Sequence, residues 1–213
     1  MHEHYDLARY MEVGNVDQAI DIILSPTAGM TAKQRWENEA SVLMRIIERY
    51  IASESMVLDY GCGIGRLVKP LITELRCKVV GVDISFNMQA LAISQVASPM
   101  FYTLSPEMFF TIRPFIFDAA IAVWSLQHCI DLQESINHIV NSLKSDGKLV
   151  LVNNKGLRSP PIEDGKWTDD GQDIEKMIVD AGFFEIENGQ LDESVAPGWM
   201  QEGTFWAVYQ KAQ

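Results

Sequence analysis

Three glycines at alternate positions follow an acid at the end of an apolar run: Met56-Val57-Leu58-Asp59-Tyr60-Gly61-Cys62-Gly63-Ile64-Gly65. Glycine reaches positive φ without strain and, lacking Cβ, lets a bulky ligand lie against the main chain. Where such a turn opens a helix, the unpaired N–H groups of its first turn favour a negatively charged or electron-rich ligand group. A second acid, Asp83, ends the next apolar run, Lys78-Val79-Val80-Gly81-Val82, and stands 24 residues after Asp59. A carboxylate in that place offers two acceptor oxygens to a vicinal diol such as that of a ribose. Ser85 is available to cap the helix that follows, which leaves Asp83 free for a ligand.

The spacing of the glycines separates two cofactor chemistries. A dinucleotide fingerprint reads G-x-G-x-x-G, its third glycine allowing close helix packing beneath a pyrophosphate. Here Arg66 stands where that pattern requires glycine, and an acid precedes the first glycine by two residues. The D-x-G-x-G-x-G pattern resembles motif I of the class I S-adenosylmethionine-dependent methyltransferases. The resemblance implies that Gly61, Gly63 and Gly65 cradle the methionine half of the cofactor. It implies that Asp59 supports the turn or reaches the cofactor's ammonium, that Asp83 holds the ribose hydroxyls, and that Ile84 and Met88 line the adenosine side. Phe117-Asp118-Ala119-Ala120-Ile121-Ala122-Val123 resembles the family's fourth-strand motif, putting Val123 and Trp124 beside the transferable methyl. Leu143-Lys144-Ser145-Asp146-Gly147 resembles its later turn into a fifth strand. The acid that usually binds the adenine amine after the third strand is replaced by Leu104-Ser105-Pro106-Glu107, so Ser105 or a backbone group is expected there.

The elements that must position these residues alternate along the chain. Short runs rich in Val and Ile (MVLDY, KVVGVD, PMFYTL, FDAAIAV, KLVLVNN) are separated by segments of helical periodicity (LVKPLITEL, FNMQALAISQV, DLQESINHIVNSL). The apolar runs are continuous rather than alternating, as strands buried on both faces are. This predicts an α/β fold with a doubly wound, mostly parallel sheet, its glycine turn at the carboxyl end of the first strand. FEIENGQL and GTFWAVYQK are expected to pair antiparallel at one end of the sheet, after a helix, IEKMIVDAGF, closed at Gly182. Residues 1–50 read as a helical N-terminal cap. Val16, Ala19, Ile20, Ile23 and Leu24 form one stripe; Trp36, Ala40, Leu43, Ile47 and Tyr50 form another, with Thr31 as its cap. Residues 51–213 read as the cofactor-binding domain, the two parts making one structural unit.

The chain carries 17 Lys and Arg against 29 Asp and Glu, a net charge of −12. Such a surface repels phosphate backbones, and no basic patch offsets it, so no nucleic-acid partner is expected. The absence of an N-P-P-[YF]-type motif after the fourth strand, where Val123-Trp124-Ser125-Leu126 stands, agrees. Three cysteines at irregular spacing fit neither a disulfide framework nor a four-cysteine zinc site. No run is long and apolar enough for a membrane span, and the first residues lack the pattern of a signal peptide. A cytoplasmic protein without membrane association is expected, with no metal.

Of the remaining candidates, His128 stands on the expected catalytic face, where an imidazole can take a proton from a hydroxyl or amine; its alternative is a structural loop residue. Tyr10 and Trp36, in the cap, are candidates for an acceptor pocket with Trp124, alongside the loop 153–172; core packing is their alternative. His138 reads as a partly exposed helix residue, His2 and His4 as terminal residues, and Tyr5, Trp167, Trp199 and Trp206 as packing residues. Cys62 reads as a small filler among glycines. The expected function is in-line methyl transfer from S-adenosylmethionine to a small molecule, leaving S-adenosylhomocysteine. A protein side-chain methyltransferase and a non-catalytic cofactor-binding partner are the alternatives, whereas Arg66 and Asp59 disfavour a nicotinamide-dependent oxidoreductase.

Overall fold

The computed structural model describes residues 7–24, 29–111, 116–158, 168–196 and 198–212. Seven strands form one sheet: β1 (Met56–Tyr60), β2 (Lys78–Val82), β3 (Phe101–Leu104), β4 (Phe117–Val123), β5 (Leu143–Asn154), β6 (Phe183–Gly189) and β7 (Thr204–Lys211). Their order is β3-β2-β1-β4-β5-β7-β6. All neighbours through β5 run parallel, and β7 runs antiparallel to both β5 and β6. Helices α1 (Leu7–Met11), α2 (Val16–Ile23) and α3 (Ala32–Ile47) precede the sheet. The crossovers and the C-terminal part carry α4 (Val68–Thr73), α5 (Phe86–Val96), α6 (Pro106–Thr111), α7 (Leu132–Ser142), α8 (Ile174–Asp180) and α9 (Trp199–Gly203).

Successive strand residues point to opposite faces, and both faces are covered. Val57, Val79, Ile121 and Val150 face a core shared with Leu71, Ala92 and the C-terminal half of α3. Their neighbours Leu58, Val80, Ala120 and Leu149 face a second core with Leu132, Ile136 and Ile178. The mostly parallel sheet and its antiparallel C-terminal pair agree with the sequence expectation. Within that pair, β7 lies inside and β6 takes the edge.

A third, smaller cluster joins Val13, Ala19, Ile20 and Ala32 of the N-terminal segment to Ile64 of the glycine turn and Met88 of α5. It seats the N-terminal helices against the carboxyl end of β1. Thr31 begins α3 in a capping box, its hydroxyl accepting the Gln34 N–H while the Gln34 side chain accepts the Thr31 N–H. Helix α4 starts at Val68, because residues 63–67 run through successive turns. Asp146 takes φ of 63° where β5 shifts register against β4, as the Ser145-Asp146-Gly147 turn predicts.

Candidate functional site

The turn after β1 is held against the end of β2. The N–H groups of Gly61 and Cys62 both donate to the Val82 carbonyl, at 2.7 and 3.0 Å. The Gly63 N–H donates to Asp83 Oδ2 at 2.8 Å and the Ser85 N–H to Asp83 Oδ1 at 2.9 Å. The Asp83 N–H in turn donates to the Leu104 carbonyl at 3.2 Å, which sets Ser105 beside the same strand end. Gly61 has φ of +86°, and a Cβ there would lie 2.3 Å from Ser125 Cβ. Only glycine lets the end of β1 and the segment after β4 approach so closely. Ser125 Oγ is buried at this junction without a hydrogen-bond partner among the described residues.

Two acids share this space. Asp59 is 4% exposed, and burial pushes its carboxyl up to about 7; Arg66 pulls against that shift, and Asp83 adds to it. Burial also raises Asp83, opposed by the N–H groups of Ser85 and Gly63.

The N-terminal helices reach both sides of the turn. The Ser85 hydroxyl caps α5 by accepting the Met88 N–H and donates to the Tyr10 carbonyl at 2.6 Å. Asn87 donates to the Met11 carbonyl at 2.8 Å, and the Tyr10 hydroxyl to the Ile22 carbonyl at 3.3 Å. Burial, then the field of Asp83, holds the Tyr10 phenol well above its ordinary range. On the other side, the Arg66 guanidinium lies 5.2 Å from the centre of the Trp36 ring and pairs with Glu39 at 2.9 Å. The Trp124 indole N–H donates to the same Glu39 oxygen at 2.6 Å.

The structure therefore brings Asp59, Gly61, Gly63, Asp83, Ile84 and Ser105 to one end of the sheet, with Tyr10 on one flank and Trp36 and Trp124 on the other. Ile84 is 46% exposed, open to a ligand. Val123 ends β4 beside Val152. Gly65, at φ of +80°, packs against Val96 of α5, and Met88 is buried beneath the N-terminal helices with Ile64. Ser105 accepts the Met108 N–H at the start of α6. His128 ends a short 3-10 turn, Leu126–His128, with its Nε2 3.2 Å from Gln127 Nε2. Trp206 is a core residue whose indole N–H donates to the Gln190 carbonyl. His138 is half-buried and stacks on Phe110. The side chain of Trp199, together with His2, His4, Tyr5, Trp167 and loop residues 159–167, lies outside the described residues.

Sequence reasoning missed Glu39 and Arg35, both fully or nearly buried and paired at 3.3 Å. Their signal is positional: opposite charges four residues apart on α3, in line with Ala32, Leu43 and Ile46 on its buried stripe. No group of three or more metal-ligating side chains occurs among the described residues. Nor is any of their helices long and apolar enough to cross a membrane.

Residues 58–151 match the methyltransferase domain family. An uncharacterized protein of Methanocaldococcus jannaschii is 30% identical over 151 residues, covering 68% of this chain and 52% of that one. Among solved structures, the cyclase SpnF aligns over 89% of this chain and 86% of its own, with a TM-score of 0.68 and 15% identity. Phosphoethanolamine N-methyltransferase 2 of Haemonchus contortus, in complex with phosphomonomethylethanolamine and S-adenosylhomocysteine, aligns with a TM-score of 0.62 and 19% identity. That alignment covers 83% of this chain and 52% of that one. The chain thus spans about half the length of the Methanocaldococcus relative and of the Haemonchus enzyme.

Sheet order and matched domain define a methyltransferase fold. Residues 58–151 carry a methyltransferase domain in the class I S-adenosylmethionine-dependent fold.

Proposed function

We propose that the chain transfers a methyl group in line from S-adenosylmethionine to a small-molecule acceptor, with residues 1–50 acting as a cap over the cofactor-binding unit 51–213. The observation that carries this reading is the joint anchorage of the glycine turn and Asp83. Gly63 and Ser85 occupy one lone pair on each Asp83 oxygen and leave the others for ribose hydroxyls. The residues present fit the cofactor: a turn in which Gly61 leaves no room for a side chain, a half-exposed Ile84 for the adenine face, and beside Gly61 a Ser125 hydroxyl without a partner among the described residues.

S-adenosylmethionine supplies, when bound, a methyl group already activated by its sulfonium. The chain's task is then to align donor and acceptor and to exclude water. Asp59, Gly61, Gly63 and Gly65 hold the methionine end, and Asp83, Ile84 and Ser105 the adenosine end, with Met88 buried behind them as packing rather than as a contact. Val123 and Trp124 flank the reacting centre. Tyr10, Trp36 and Trp124 close the acceptor side, and the seating of α1–α3 on the glycine turn supports their acting as a cover over it. Where the acceptor must lose a proton, His128 takes it.

The test is conversion of S-adenosylmethionine to S-adenosylhomocysteine with a panel of hydroxyl, amine and thiol acceptors. Acceptor-dependent turnover supports methyl transfer. Tight cofactor binding without turnover across the panel supports a non-catalytic binding protein instead.

A further inference from the structure

We propose that Glu39 is a positioning residue of this site: one buried carboxylate on α3 sets both the indole at the end of β4 and the guanidinium that follows the glycine turn. The proposal rests on the cofactor reading above.

Three elements converge on this side chain. Oε1 accepts from Arg66 at 2.9 Å and from the Trp124 indole at 2.6 Å, while Oε2 pairs with Arg35 at 3.3 Å. The Glu39 side chain has no exposure, and those of Arg35 and Arg66 have 6% and 7%. A carboxylate so buried is tolerated only where charged and hydrogen-bonded partners replace water. Charge-assisted bonds are also the strong ones, so this cluster fixes its members more tightly than neutral contacts do.

Trp124 needs such fixing. Its φ is +58°, a conformation that bulky residues rarely adopt and that persists only where the surroundings impose it. Two bonds impose it here: the backbone N–H on the Val152 carbonyl at 2.9 Å and the indole N–H on Glu39. Ser125, the next residue, packs against Gly61, so a change at Trp124 reaches the glycine turn through one peptide unit. Arg66 links the same carboxylate to the turn from the other direction and covers the Trp36 ring. Glu39 touches neither cofactor nor acceptor in this account; it acts through Trp124 and Arg66.

A residue that merely staples α3 to the domain would give the same stability loss, so the test reads coupling. S-adenosylhomocysteine is titrated calorimetrically into the wild-type chain, Glu39→Gln, Trp124→Phe and the double variant. Each single change is expected to weaken binding about tenfold, and the double change by clearly less than the hundredfold product, because Trp124→Phe removes the same indole bond that Glu39→Gln weakens, while Arg66 is reached through Glu39 alone. Unchanged affinity in Glu39→Gln, or losses that multiply to about a hundredfold in the double variant, would overturn the role of Glu39. Absence of binding by the folded wild type is a different result and overturns the cofactor reading itself. Should Glu39→Gln not fold, Trp124→Phe decides alone, since it removes the indole N–H and keeps an aromatic ring. A tenfold loss, with faster amide exchange over residues 32–47 in the ligand-free chain, supports the proposal, and unchanged affinity overturns it.

Discussion

The N–H of Gly63 and the carboxylate of Asp83 meet at 2.8 Å, joining the glycine turn after β1 to the acid that ends β2. Two sequence features 20 residues apart thus form one structural unit. The unit explains why the glycines differ in what they tolerate. At Gly61 a Cβ would lie 2.3 Å from Ser125 Cβ, whereas at Gly63 it would meet only the tip of Ile23, at 3.1 Å. Gly61→Ala is expected to destabilise by about 3 kcal/mol or more and Gly63→Ala by about 1 kcal/mol, the latter mostly backbone strain. Ser125→Gly should recover part of the Gly61→Ala loss and none of the Gly63→Ala loss. Thermal unfolding of the four variants checks this.

Asp59 sets stability against binding. Its carboxyl, raised to about 7 from an ordinary 3.8, keeps in the folded chain a proton that the unfolded chain has already released. This group therefore makes stability fall as pH rises from the ordinary value to the raised one, and the cost is fully present above it. Asp59→Asn should stabilise the ligand-free chain at about pH 8 by on the order of 2 kcal/mol, and give no such gain near pH 4. Binding should move the opposite way, because a cationic ammonium favours the ionised acid. Affinity for S-adenosylhomocysteine rises through neutral pH in the wild type, and that slope disappears in Asp59→Asn. Calorimetry at several pH values reads both effects.

Much of this arrangement is legible in the sequence, for physical reasons. β1 over Met56–Tyr60 and α5 over Phe86–Val96 fall where the apolar run and the helical period put them, since burial on both faces leaves few alternatives. The position of β7 between β5 and β6 is not legible: antiparallel pairing is satisfied equally by either order of the last two strands. α6, whose Pro106-Glu107-Met108-Phe109-Phe110-Thr111 spans less than two turns, gives no periodic signal. Glu39 and Arg35 are hidden for another reason. Opposite charges at that spacing ordinarily stabilise an exposed helix face, and only the third partners, Arg66 and Trp124, make them interior.

Cys62 sits inside the turn but is no nucleophile. Burial first, then the fields of Asp83 and Asp59, pushes its thiol well above the ordinary value. Native protein treated with iodoacetamide at neutral pH should show Cys62 unmodified by peptide mass spectrometry, with labelling only after denaturation. Rapid native labelling would contradict this packing.

The seating of α3 depends on its first turn. Thr31→Ala removes one half of the capping box and should cost about 1 kcal/mol, a drop of about 2–4 °C in Tm for a chain of this size. Thr31→Ser should restore most of it. Neither change alters the residues around Asp83, so affinity for S-adenosylhomocysteine should stay within about twofold.

The central claim is that the glycine turn and Asp83 together hold the cofactor. Calorimetric titration of S-adenosylhomocysteine into the wild-type chain and Asp83→Ala tests it most directly. Saturable binding at one site by the wild type, weakened about tenfold or more in a variant that still unfolds cooperatively, is the predicted result. Equal affinity in the two proteins, or no binding by the folded wild type, would contradict it.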